Sequence, residues 1–136
     1  MRRVSSTLRV SICVCRGTRT LPRTSAITDS ETGATVAFQG NTAITTLTTT
    51  DNGYNVSLTG GTTTVTNDAN FLNTGTLTLG NGGDTLTFNG GLASAGNASN
   101  PSSTNVGGTV QTSGDQIDLG PVTLTASPET GRSVRF

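Results

Sequence analysis

From residue 34 onward, apolar and polar side chains alternate in short runs. Ala37 separates Val36 from Phe38, Ser57 separates Val56 from Leu58, Thr87 separates Leu86 from Phe88, and Asp118 separates Ile117 from Leu119. A period of two places each apolar pair on one face of an extended strand and the intervening residue on the other. Thr dominates the second face; its branched Cβ favours extended backbone and its hydroxyl tolerates water. The pattern predicts strands over 34–40, 54–60, 84–90 and 115–120, with additional strands over 62–66 and 122–125. Nothing in the chain has helical period.

Between these runs lie Asp51-Asn52-Gly53, Gly80-Asn81-Gly82-Gly83 and Ser113-Gly114. Such segments supply positive φ at little steric cost and turn the chain. The apolar positions also recur. Leu47 to Leu77, Val56 to Leu86 and Leu58 to Phe88 are each 30 residues, while Leu86 to Ile117 and Phe88 to Leu119 are each 31. Three short strands plus turns fill one such interval, as in one lap of a parallel β-helix, so residues 34–126 are expected to form a solenoid stub of about three coils. The alternative is an antiparallel β-sandwich, with Leu77–Leu79 and Leu86–Phe88 paired as a hairpin across the Gly/Asn turn. A sandwich, however, has no reason to repeat its core positions at a fixed interval. Segment 92–106 is small, polar and interrupted by Pro101, and reads as a loop inserted at one corner.

Each lap of a solenoid buries its apolar face against its neighbours. The expected partners are therefore adjoining coils of a longer solenoid, or another copy meeting this one through open strand edges.

Composition narrows the function. Thr, Gly, Ser and Asn make up 71 of 136 residues, and His, Lys and Trp are absent. The first two are the groups that most often move protons near neutrality, so the reading is non-enzymatic, with no catalytic residues and no cofactor. The formal net charge of zero hides three zones. Residues 1–24 carry Arg2, Arg3, Arg9, Arg16, Arg19 and Arg23 and no acid. All eight acids fall within 25–131, where there is no base, and Arg132 and Arg135 close the chain. An acidic body repels phosphate backbones, which argues against a nucleic-acid partner.

The Arg-rich segment 1–24 reads as a targeting or disordered leader, 25–33 as a linker and 127–136 as a disordered tail. Arg residues followed by Val10–Cys15 have the outline of a secretory signal with a short apolar run. Arg2-Arg3 suggests a twin-arginine signal, the acid-free Ser/Arg composition suits an organelle transit peptide, and a leader foreign to the body is a further alternative. Cys13 and Cys15, without a His, cannot complete a tetrahedral zinc site. No stretch reaches the roughly 18 apolar residues that span a bilayer.

Two segments carry a family likeness. Gly75-Thr76-Leu77-Thr78-Leu79-Gly80-Asn81-Gly82-Gly83-Asp84-Thr85-Leu86-Thr87-Phe88-Asn89-Gly90-Gly91 resembles repeats of autotransporter and filamentous-haemagglutinin-like exoproteins, and residues 108–126 are similar to another repeat of that kind. The resemblance covers about residues 34–126. It implies a right-handed parallel β-helix, export to the surface of a Gram-negative-type cell, and a role as adhesin or stalk that contacts glycans or matrix.

Two other functions compete. Gly80, Gly82, Asp84 and Leu86 match positions of the repeat-in-toxin nonapeptide, in which carbonyls and Asp from successive turns cage Ca²⁺, and Gly114, Asp115 and Ile117 match it less well. Asp84 and Asp115 are therefore the candidate metal ligands. Within residues 34–126, Asp115 and Asp118 form the one close carboxylate pair, the requirement for a polysaccharide-cleaving β-helix. Asp118 is expected on the outer face between Ile117 and Leu119, and Asp115 at the turn edge.

Overall fold

The computed structural model describes residues 8–9, 13–15, 17 and 19–125; residues 1–7 and 10–12 of the expected leader and the expected tail over 127–136 lie outside the described residues. Every regular element among the described residues is a strand. The first five are β1 (Leu8–Arg9), β2 (Cys13–Cys15), β3 (Arg19–Thr28), β4 (Thr35–Phe38) and β5 (Thr42–Thr49). They are followed by β6 (Asn55–Leu58), β7 (Thr62–Val65), β8 (Ala69–Asn70), β9 (Thr76–Leu79) and β10 (Thr85–Phe88). The last are β11 (Leu92–Ala93), β12 (Ser103–Val106), β13 (Thr109–Gln111), β14 (Ile117–Asp118) and β15 (Val122–Leu124).

All pairings are parallel, and none joins strands adjacent in sequence. One sheet runs β2-β4-β6-β9-β12-β15. The other has two columns: β5 pairs through its first half with β7 and through its second with β8, and the columns continue as β10-β13 and β11-β14. The chain thus circles three faces per lap, a β-solenoid of about five turns. The sandwich alternative is excluded, because β9 and β10, the expected hairpin, belong to different sheets.

The lap is shorter than the 30-residue interval suggested. Cys13 pairs with Val36, Val36 with Val56, Val56 with Leu77, Leu77 with Thr104 and Thr104 with Val122, giving laps of 23, 20, 21, 27 and 18 residues. The recurrences at 30 are about one and a half laps. Val56 stacks on Leu77, whereas Leu86 lies on the other sheet between Thr63 and Val110. The expected three coils are therefore about five. The 27-residue lap contains segment 92–106, expected to be loop throughout; its two ends are instead the paired strands β11 and β12, and only 94–102 bulges between them.

The solenoid also begins before residue 34. β2 pairs with β4 and β3 pairs with β5, so part of the segment expected to be leader and linker supplies the first strands.

Inside, equivalent positions form ladders. Val36, Val56 and Leu77 make one, Phe38, Leu58 and Leu79 a second, Ile44, Val65 and Phe88 a third, and Leu47, Ala69 and Leu92 a fourth; all are buried. Full burial of each Val, Leu, Ile or Phe contributes about 1.5–3 kcal/mol, so a narrow interior is stabilised by few but completely enclosed side chains. Tyr54 and Phe71 fill corners of the same core. Tight corners depend on missing Cβ atoms: one placed on Gly60 would overlap the Gly40 carbonyl of the turn below, and one on Gly40 the Gly17 carbonyl.

Candidate functional site

The third face, formed by the second half of β5 with β8, β11 and β14, is where the outer surface departs from a flat coat of Thr. Register stacks Ala69, Leu92 and Ile117 as inward neighbours, so Asn70, Ala93 and Asp118 form the outward row beside them. Rows in a sheet are about 4.8 Å apart, which sets Asn70 and Asp118 roughly 10 Å from each other with only the Ala93 methyl between. The preceding row consists of Asp68, Gly91 and Gln116. Gly91 has φ of 100°, and a Cβ on it would come within 3.0 Å of the Gln116 carbonyl.

Gly90, Gly91 and Ala93 thus floor an open groove of about 280 Å³, with Asp68 and Asn70 on one bank and Asp115, Gln116 and Asp118 on the other. Backbone bonds hold both banks. Ala69 N–H donates to the Gly91 carbonyl (3.1 Å), Leu92 N–H to Gln116 (3.0 Å) and Ser94 N–H to Asp118 (2.8 Å). The Gln116 amide donates to Asp118 Oδ2 (3.1 Å), and Ser113 Oγ to the Asn89 carbonyl (2.7 Å), tying the β13–β14 turn to the lap beneath. The loop 94–102 begins directly beyond β11; a Cβ at Gly96 would lie 3.8 Å from Asp118 Oδ2.

Asp115 and Asp118, paired in the sequence reading, do share this groove, and Asp68 joins them from two laps below. Asp84 does not. It is buried in the β9–β10 turn, where its Oδ2 accepts the Asn81 N–H (3.0 Å) and its carbonyl the Thr109 N–H (2.9 Å), the arrangement of a turn acid. The two candidate metal ligands Asp84 and Asp115 thus precede strands on different faces, and among the described residues no three His, Cys, Asp or Glu side chains are grouped to hold a metal ion.

Sequence reading missed Asp68 and Asn70, because their proximity to Asp118 follows from laps of 23 and 25 residues on this face rather than from any local motif; it also passed over Gln116, which stands two residues before Asp118 and was legible from the period of two. Residues 25–125 contain no base, so the groove combines carboxylates, amides and free backbone edges with no neutralising cation of its own body. Such a surface accepts hydrogen bonds from hydroxyls and amines, and repels anions. No family model, curated protein or solved structure matches the chain.

Proposed function

We propose that the chain is a structural and adhesive element of an exported surface protein, a piece of β-solenoid stalk comparable in kind to the repeats of autotransporter and filamentous-haemagglutinin-like exoproteins. The observation that carries this reading is the outer coat. Ala37, Ser57, Thr78, Asn105 and Thr123 follow one another in register along the first sheet, and Ala43, Thr64, Thr87 and Gln111 along the second. Neighbours along the sheets bond to one another, as Gln111 Nε2 does to Thr87 Oγ1 (2.9 Å) in the second row and Thr76 Oγ1 to Asn55 Oδ1 (3.0 Å) in another row of the first sheet. A stiff rod coated with ordered hydroxyls and amides makes many weak contacts to carbohydrate without a deep pocket, and the Asp68–Asp118 groove adds a recessed surface to it.

Because the groove is acid-only, the ligand class it suits is a neutral or amino sugar rather than a sulfated or uronate chain. Immobilised panels of both classes test this. The chain is expected to be retained by neutral or amino-sugar glycans, and Asp118→Ala to weaken that retention about ten-fold, the loss of one hydrogen bond to a charged acceptor. Retention by neither class, or by the anionic panel alone, overturns the adhesive reading.

A further inference from the structure

Resting on the reading of the chain as a solenoid element, we propose that the last described turn docks a second copy of this chain head to tail, with β13, β14 and β15 of one copy extending its sheets onto β1, β2 and β3 of the next. The first observation is a ladder that runs on into solvent. Ile117 stacks on Leu92, Val122 follows Leu77 and Thr104, and Leu124 follows Leu79 and Val106. Leu77 and Leu79 are fully buried and Leu92 is 2% exposed, yet Ile117, Val122 and Leu124 are 39%, 45% and 46% exposed. The side chains that every inner turn covers with the next turn have no cover here among the described residues.

The second observation selects the occupant. At the opposite pole the six-stranded sheet ends on β2 and the nine-stranded sheet on β3 and β1, strands drawn from residues 8–28, a stretch of sequence with four arginines and no acid. Among the described residues, the last turn carries Asp115 and Asp118 and no base. Segments of opposite sequence charge are therefore brought together when copies stack in one direction. Two exposed poles meeting symmetrically would instead set these acids against their own copies. Parallel strands have a polarity that only a head-to-tail partner continues in the same sense, and such a heterologous contact grows rather than closes.

Sedimentation velocity of the full chain, under reductant so that Cys13 and Cys15 stay thiols, reads this directly. The expected result is a weight-average mass that rises with concentration past the dimer and falls as salt screens the charged poles. Leu124→Lys and Val122→Lys each bury a charge in the contact and should lower the association constant about ten-fold or more while keeping the β-sheet circular dichroism of the parent. A small proportion of either variant should also shorten wild-type assemblies, since it still offers its unaltered first strands. A monomer at every concentration, including one in which residues 126–136 cover the pole, overturns the proposal. So does a closed dimer, or assembly that neither substitution weakens. Glycan retention is scored separately, so loss of assembly and loss of adhesion are distinguishable.

Discussion

Asn73 pins three strands' worth of chain from inside the core, and replacing it tests whether buried polar groups hold the corners of this solenoid. The side chain is fully buried. Its Oδ1 accepts the Thr49 hydroxyl (3.2 Å), and its Nδ2 donates to the carbonyls of Tyr54 (3.1 Å) and Thr76 (3.3 Å). The same Thr49 oxygen accepts the backbone N–H groups of Leu72 (2.6 Å) and Asn73 (3.0 Å), so one amide and one hydroxyl satisfy the turn that leads from the third face back to the first sheet. Asn73→Leu keeps the branching of the side chain and removes all three side-chain bonds. Each buried group left unpaired costs about 1–3 kcal/mol. The Tyr54 carbonyl and Thr49 hydroxyl are buried, the Thr76 carbonyl is partly open to water, and the added apolar surface offsets some of the loss, leaving a net destabilisation of about 3 kcal/mol. Against a total stability of about 5–15 kcal/mol this is a large fraction. With a urea slope of about 1.5–2 kcal/mol/M the midpoint should fall by about 1.5–2 M at unchanged slope. Asn73→Asp should be worse, because its second oxygen would face two carbonyls. A Leu variant within about 0.3 M of the parent, or an Asp variant as stable as the Leu one, refutes the reasoning.

Two further substitutions probe the interior from opposite sides. Thr63 is fully buried between Thr42 and Leu86, and its hydroxyl has no partner, so Thr63→Val should leave stability unchanged or raise it by about 1 kcal/mol in the same urea assay. Gly60→Ala drives a methyl into the Gly40 backbone, which cannot rotate away, and should cost about 1–3 kcal/mol or more, read as a lower thermal midpoint by circular dichroism.

The strands were legible because their cause is local. Alternation at Val56-Ser57-Leu58 or Leu86-Thr87-Phe88 needs no knowledge of the partner strand, and the turns at 80–83 and 113–114 were legible for the same reason: Gly80, Gly82, Gly83 and Gly114 adopt the positive φ their composition suggests, whereas Gly53 turns the chain at 51–53 without it. The lap was not. Gly40 and Gly60, each two residues past a buried aromatic or Leu, mark the 20-residue repeat, but the apolar positions of two different sheets also coincide at 30 and 31. A side chain facing inward obeys the same period of two on either sheet, so the alternation cannot say which sheet it belongs to. The short third-face strands β8 and β11 are two residues long and leave no periodic trace, while of the strand expected over 115–120 only Ile117–Asp118 forms β14.

That third face is also where the groove lies, for a connected reason. A column of two-residue strands is set by backbone bonds from its neighbours, such as Phe71 N–H to the Ala93 carbonyl (2.9 Å), and only Leu47, Ala69, Leu92 and Ile117 in it face inward. Its outward residues are therefore free of the β-branched preference that fills the longer strands with Thr. Gly91 and Ala93 can be small, and Asp68, Asn70, Gln116 and Asp118 can be polar and long enough to bank the hollow. The face that contributes least to strand propensity is the one on which a recessed surface costs the fold least; Asp115 and Asp118 were visible as a pair in the sequence, and Asp68 joins them only because register sets residues 68, 91 and 116 side by side.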